Sequence, residues 1–279
     1  DQTYKNIELI VIDDGSIDRS PEIILSLASI CHERFTRFEW RHRPNKGVSA
    51  TLNEGIAWAK GAFFSGLSSD DIMLPHKTEF LLKELNSAPS IAGIFGGCLE
   101  INANGEYKRS LQPPLQEFGF EEVALKKCKI YGIAQLMRVE ALLNTGCYDE
   151  RQKLEDWPTY LRITDAGYRF KTVPEVVAKY RKHKESFSSS KVELLHRERL
   201  KALAHYSHRD AAKMARALVL VGFATQFYDI DKRKSRVALY DSIECAPWVM
   251  AKRQFWRAVK IQLLGKIRQR LKRAKQRSV

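Results

Sequence analysis

Paired cysteines are the first thing this 279-residue chain lacks. Its five cysteines (Cys31, Cys98, Cys128, Cys147 and Cys245) are odd in number, scattered, and form no Cys-x-x-Cys. A disulfide framework or a zinc–thiolate centre is therefore not the organising device, and the pattern suits reduced thiols in a cytosolic protein. Long apolar runs are also missing. The longest, "ALVLVGFA" at 217–224, is far short of the roughly 20 residues that span a bilayer. No secretory signal is visible at the start, and there is no internal repeat, low-complexity tract or Gly-rich basic phosphate loop. These absences lead us to expect a soluble or peripheral protein of the cytoplasm.

Acids are scarce in one region only. The net charge is +14, from 47 Lys/Arg and 33 Asp/Glu, yet residues 191–279 alone hold 22 basic and 7 acidic groups, and no acid follows Glu244. The first 190 residues are close to neutral, so the basicity belongs to the tail. A nucleic-acid-binding protein whose basic surface pervades the fold is disfavoured, and no RNA-binding motif appears. Two regions are expected: an α/β domain over 1–190 and a basic helical extension over 191–279.

What is present is an alternation of strand and helix. "IELIVI" (7–12) is apolar on both faces and reads as a buried strand of parallel type. Ser20-Pro21-Glu22 opens a helix running to about Glu33, with a Ser N-cap and Pro at the first position. "RFEWRHR" predicts a strand, "VSATLNEGIAWAKG" a helix stopped by Gly61, and "AFFSGLS" a strand. A loop "SSDDIMLP", a helix from Pro75, and the strand "IAGIFGGCLEI" with an "NANG" turn (102–105) follow. Beyond Gly132 come a short strand, a short helix, a helix in "LEDWPTYLRITDAGYRF" ended by Gly167, and a strand or hairpin in "KTVPEVVAKYRKH". The pattern predicts a doubly wound, mostly parallel sheet that binds ligands at its carboxyl edge.

Three acid pairs fall where elements end: Asp13-Asp14, Asp70-Asp71 and Glu155-Asp156. Each has an ordinary reading. Asp-Gly after a strand is turn chemistry, Ser-Ser-Asp-Asp before a helix suits capping, and Glu155-Asp156 complements a helix dipole. Two of the pairs, however, lie at the carboxyl edge of one sheet. Adjacent carboxylates repel unless donors or a cation stabilise them, and a partly hydrated divalent ion shared with a diphosphate does so.

"QTYKNIELIVIDDGSIDRS", "NKGVSATLNEGIAWAKGAFFSGLSSDD", "LEDWPTYLRITDAGYRF" and "YRKHKESFS" together, in this order, resemble the family 2 glycosyltransferases of the GT-A fold. The resemblance covers residues 2 to about 189. It departs from the family at Ser68, where the usual Asp-x-Asp-Asp has its first carboxylate. The resemblance implies that Asp13 and Asp14 meet the nucleotide base, and that Lys46 and Gly47 approach the nucleotide or its phosphates. It implies that Asp70 and Asp71 bind ribose and Mg²⁺ or Mn²⁺, leaving open which residue does which. Asp156 matches the general base, with Glu155 beside it, and His183 stands where such enzymes place a late histidine near the metal; as a residue of a basic strand it equally reads as surface.

An inverting glycosyltransferase using a nucleotide-diphosphate sugar, UDP-linked because uracil's N–H suits Asp14, is thus the expected activity. Its acceptor would be a glycan or lipid-linked molecule of surface polysaccharide synthesis. The family ordinarily begins with a further strand and helix before "QTY", so the expectation is that its first strand is absent here. In the tail, Phe255, Val259, Leu263, Ile267 and Leu271 recur every four residues among 11 Lys/Arg over 252–277. That pattern fits a helix on an anionic membrane surface through 248–277, at the inner face of the cytoplasmic membrane, or equally a packed helix with a solvated basic face. Two other readings remain: a catalytically degenerate nucleotide-binding module, to which Ser68 points, and a nucleotidyltransferase.

Overall fold

The computed structural model describes residues 1–182 and 192–264. The chain forms two compact units, Asp1–Ser186 and Phe187–Val279.

In the first unit the elements run β1 (Glu8–Asp13), α1 (Ser20–Ser26), α2 (Ala28–Arg34), β2 (Arg37–His42), α3 (Val48–Trp58), β3 (Phe63–Phe64), β4 (Ile72–Met73) and α4 (Lys77–Asn86). They continue with β5 (Ile91–Ile101), β6 (Tyr107–Leu111), β7 (Gln116–Phe118), α5 (Phe120–Ala124), β8 (Gln135–Arg138), α6 (Val139–Asn144), α7 (Asp156–Asp165) and β9 (Arg169–Arg181). The expected α/β fold is present, and its two longest ladders, β1–β2 and β5–β9, are parallel. The short strands join antiparallel: β3 and β5 to β8, β4 and β7 to β9, β6 to β5. Strand order in the larger sheet is β3-β8-β5-β9-β4, while β1 and β2 form a separate pair.

The centre of the larger sheet is the core. Leu81 and Leu85 of α4 pack on Ile91, Ile94 and Cys98 of β5 and on Val173 and Val177 of β9, all nearly inaccessible. Pro174 cannot continue a regular ladder, and β9 bulges there: the register shifts between Phe95 and Gly97. A Cβ on Gly96 would lie 2.6 Å from Val177 Cγ2 and 2.9 Å from the Glu175 carbonyl. Glycine is therefore what lets β5 run beside the bulge. On the other face Phe95, Phe118, Tyr160 and Phe170 form a cluster of rings with centroids 5.2–6.3 Å apart, seating α7 against β5.

Several sequence expectations are corrected. β1 is half-buried along most of its length rather than buried. Among the described residues only β2 pairs with it, and neither α1 nor α2 buries a residue against it. The helix from Ser20 breaks at Leu27 into two pieces, and Ser20 lies inside the first with Arg19 at the N-cap. α3 ends at Trp58, three residues before Gly61, because Ala59 is already extended. "AFFSGLS" contributes only the two-residue β3, and the expected loop "SSDDIMLP" contains β4. Strands β6 and β7 and helix α5 lie in a stretch for which no element was predicted.

The second unit is helical as expected: α8 (Val192–Ala204), α9 (Asp210–Gln226), α10 (Lys232–Cys245), a 3₁₀ segment Pro247–Ala251, and α11 at 253–264. Asp231 caps α10, accepting from the N–H groups of Arg233 (3.0 Å) and Lys234 (2.9 Å). Buried Ala212, Ala215, Ala217 and Ala224 on α9 let its neighbours approach closely, and Ser235 Oγ donates to the Ala224 carbonyl at 2.6 Å. Of the four-residue stripe Phe255 is buried, Val259 half-buried and Leu263 exposed; the helix buries Phe255, Ala258 and Gln262 and exposes Trp256, Leu263 and Leu264. Ile267 and Leu271 lie outside the described residues. No described helix is long and apolar enough to cross a membrane.

Candidate active site

The carboxyl end of β1 and the loop after β2 are tied into one knot. Asp13 Oδ1 accepts from the N–H groups of Gly15 (3.0 Å) and Ser16 (2.7 Å) and lies 3.1 Å from His42 Nδ1. The Ser16 N–H foremost holds the Asp13 carboxyl below its usual range, against the cost of burial. Asp14 spans the gap to the second loop: Oδ1 accepts from Lys46 N–H (2.9 Å), Oδ2 from Gly47 N–H (2.8 Å), and Arg43 Nη1 donates as well. Burial pushes the Asp14 carboxyl up, but these donors outweigh it and keep the group ionised.

Glycine is needed twice in this knot. Gly15 has φ +92°, and a Cβ there would lie 2.9 Å from Asn45 N; Gly47 also has φ +92°, with open space in front of it. Arg43 continues the network by donating from Nε to Glu54 Oε2 (2.8 Å) and from Nη2 to Thr51 Oγ1 (3.0 Å), both on α3. Thus Asp13, Asp14, Lys46 and Gly47, singled out in the sequence, come together, with Asp14 as the centre. Arg43 and Glu54 were missed, since Arg43 reads as one of three arginines in "RFEWRHR".

The second acid pair sits between β3 and β4. Asp71 Oδ1 accepts the Arg181 N–H at 2.8 Å, and the Asp70 carbonyl accepts Arg181 Nε at 2.8 Å. Burial, followed by the neighbouring charge of Asp70, pushes the Asp71 carboxyl up. A carboxylate that is desolvated and beside another negative charge is one a cation would stabilise, so the pair suits a hard divalent ion. No group of three or more Asp, Glu, His or Cys side chains that could by itself hold a metal ion occurs among the described residues. Water and diphosphate oxygens would have to complete such a coordination shell. His183 lies outside the described residues.

The third pair opens α7. Glu155 is the N-cap residue and Asp156 the first helical one. Burial foremost, and then the charge of Asp156, raises the Glu155 carboxyl well above the ordinary range. Asp156 lies against the 132–135 segment: a Cβ on Gly132 would be 3.7 Å from Asp156 Oδ2 and 3.5 Å from the Tyr160 hydroxyl. Tyr160, one turn on, donates to Gln135 Oε1 at 2.9 Å within the core.

The buried Lys77 connects these regions. It opens α4 beneath the Asp70-Asp71 loop, and its Nζ donates to Ser65 Oγ (3.0 Å) and to the Ile133 carbonyl (2.7 Å). Ser65 Oγ in turn donates to the Gln135 carbonyl at 2.8 Å. Asn53 of α3 makes a further tie, exchanging hydrogen bonds with the Tyr148 backbone (both 2.9 Å) in the loop that leads to Glu155. All three acid pairs thus belong to one connected scaffold in the first unit.

Similarity to solved structures agrees with this architecture. The chain superimposes on a mannosyltransferase from Pyrobaculum calidifontis, solved with GDP-Man and Mn²⁺, with a TM-score of 0.56 and 15% identity over 95% of this chain and 81% of that one. It superimposes on residues 1–349 of S. aureus TarS with a TM-score of 0.60 and 14% identity, covering 88% and 74% of the two chains. The fold is GT-A.

The profile described as glycosyl transferase family 2 matches residues 1–144, just over half of the chain, and the chain belongs to that family. Glu155, Asp156 and His183 lie beyond the matched segment. An uncharacterized glycosyltransferase of Rickettsia bellii is 30% identical over 170 residues, 58% of this chain and 24% of that protein. Chondroitin synthase of Pasteurella multocida is 24% identical over 179 residues, 63% of this chain and 17% of the synthase. The match therefore spans a quarter or less of either relative's length.

Proposed function

We propose that the chain transfers a glycosyl group from a UDP-linked sugar to a hydroxyl of a glycan or lipid-linked acceptor, with inversion at the anomeric carbon, in surface polysaccharide synthesis. The observation that carries this reading is that the 132–135 segment lies between the two pairs: Lys77, which feels the charge of Asp71, donates to the Ile133 carbonyl, and Asp156 lies against Gly132. An acid pair suited to a leaving diphosphate and a carboxylate suited to a base then share one support. Family membership and the Pyrobaculum mannosyltransferase and TarS structures, one solved with GDP-Man and Mn²⁺ and another with UDP, support a nucleotide-sugar donor.

In this reading Asp14, with its backbone donors from Lys46 and Gly47, forms the base-recognition corner, and Asp13 fixes the turn that presents it. Lys46 extends from the same loop toward the phosphates. Asp70 and Asp71 hold Mg²⁺ or Mn²⁺ and the ribose, with His183 as a further ligand. That ion, when bound, supplies Lewis-acid stabilisation of negative charge on the departing diphosphate. Asp156, beside Glu155 whose carboxyl burial raises, accepts the acceptor's hydroxyl proton as that oxygen attacks. With one base opposite the leaving group, the displacement is single and inverts the configuration, as with inverting glycosidases.

The second unit supports a peripheral role at an anionic membrane surface. Trp248, Met250, Trp256, Leu263 and Leu264 are exposed and interleaved with Lys252, Arg253, Arg257 and Lys260. A degenerate binding module has no comparable use for an intact Glu155-Asp156 pair.

The test is calorimetry of UDP with and without Mn²⁺, on this chain and on an Asp70→Ala/Asp71→Ala variant. Metal-dependent binding that disappears in the variant is the expected result. Equal binding in both, or none in either, overturns the assignment of the donor site.

A further inference from the structure

Arg181, the last residue of β9, donates four hydrogen bonds around the Asp70-Asp71 loop. Its backbone N–H donates to Asp71 Oδ1 (2.8 Å) and its Nε to the Asp70 carbonyl (2.8 Å). Its Nη1 donates to the carbonyls of Asn102 (3.2 Å) and Ala103 (2.9 Å) in the turn between β5 and β6. The next residue, Lys182, donates its N–H to the Ile101 carbonyl at 2.9 Å. One guanidinium therefore fastens two loops whose own strands, β4 and β5, are not paired with each other but flank β9.

The turn itself is rigid. Asn102 Oδ1 accepts from the N–H groups of Asn104 (3.0 Å) and Glu106 (2.9 Å), and Gly105 takes φ +87° to close it. Three backbone carbonyls converging on one guanidinium use its planar fork, which a lysine ammonium cannot reproduce. Carbonyls occupy the guanidinium at these positions, so its part here is structural at short range: it fixes where the backbone of residues 70 and 71 runs.

We infer that Arg181 is a positioning residue that couples the β5–β6 turn to the acid loop, so that this turn sets metal-dependent nucleotide affinity without contributing a ligand. The inference rests on the proposed role of Asp70 and Asp71. Its geometric part is independent of that role. Removing the guanidinium takes from the loop its bond to the Asp70 carbonyl and its tie to the β5–β6 turn, while the Arg181 N–H to Asp71 and the Ser68–Asp71 backbone bond (3.2 Å) stay; the loop then samples orientations in which the two carboxylates diverge.

The experiment uses the full chain and four proteins: wild type, Arg181→Met, Arg181→Lys and Asn102→Ala. Two readouts are taken, hydrogen exchange without ligand and calorimetry of UDP with and without Mn²⁺. In Arg181→Met, exchange at the amides of Asp71 and Gly105 should quicken about tenfold while amides within β5 stay protected, an opening free-energy change of about 1.4 kcal/mol. UDP affinity in Mn²⁺ should fall about tenfold, with metal-free affinity unchanged. Arg181→Lys should retain most of the defect, because charge alone does not span three carbonyls. Asn102→Ala, which changes no charge, should weaken Mn²⁺-dependent binding in the same direction by about threefold, or roughly 0.7 kcal/mol. Unchanged exchange at both loops in Arg181→Met overturns the coupling. Full recovery by Arg181→Lys overturns the positioning role in favour of charge. A wild type that binds no UDP in Mn²⁺, with the exchange pattern as expected, overturns the proposed function and leaves the clamp standing.

Discussion

Lys77→Met separates the cost of burying a charge from the value of the bonds that charge makes. Lys77 is 1% exposed, and its two hydrogen-bond acceptors are a hydroxyl and a carbonyl, both uncharged. Burial pushes the ammonium from 10.5 down to about 7, against the pull of Asp71. Below pH 7 both folded and unfolded chains are protonated here, and the full burial cost is present. Between pH 7 and 10.5 the unfolded chain holds more proton than the folded one, so stability rises with pH, by up to about 1.4 kcal/mol per unit. From pH 7 to pH 9 the integral comes to about 2 kcal/mol. Methionine fills a similar volume without the charge and leaves the Ile133 carbonyl without its donor. That loss is about 1–3 kcal/mol and does not vary with pH. The stability of the variant relative to wild type should therefore decline by about 2 kcal/mol from pH 7 to pH 9. Native-state hydrogen exchange at the β5 amides, corrected for the intrinsic rate at each pH, measures the opening free energy of this core in both proteins. A difference that stays constant across the range refutes a neutralised Lys77.

Asp156→Asn should lower kcat by about 10²- to 10⁴-fold, the usual worth of a general base, with UDP affinity nearly unchanged by calorimetry; loss of both together removes the base assignment. Tyr160→Phe leaves Gln135 Oε1 without its buried donor and should destabilise the first unit by about 1–3 kcal/mol in urea unfolding. The Lys252→Glu/Arg253→Glu/Arg257→Glu/Lys260→Glu variant should lose sedimentation with anionic vesicles at low salt; wild type that fails to sediment there ends the membrane reading.

Legibility followed the strength of each local signal. β5 was predicted residue for residue, because eleven mostly apolar residues bounded by turn signals admit few alternatives. β9 was ambiguous because Pro174 reads as a break, whereas the bulge and the glycines of β5 absorb it. β6, "YKRSL", carries its charges on an exposed edge and has no apolar alternation to reveal it. In the site, acids at element ends were visible because carboxylates there need an explanation. Lys77 and Arg181 were not, since a lysine opening a helix and an arginine ending a basic strand look like surface residues until their burial and partners are known. Asp14 was legible as an acid, but its satisfaction by Lys46, Gly47 and Arg43 depends on two loops 30 residues apart in sequence.

The separate β1–β2 pair has a thermodynamic consequence. A two-stranded ladder is marginal on its own, and this one, with half-buried β1 and two helices that bury nothing, belongs at the low-stability end of the first unit's local unfolding equilibria. The Asp14 knot lies at its carboxyl edge, so a nucleotide seated there binds the ordered state and not the opened one. Free ligand at a hundred times its dissociation constant then adds about 2.7 kcal/mol to the cohesion of that cooperative unit. Under the proposed function, the donor substrate would thereby act as a fastener for the part of the molecule assigned to recognise it.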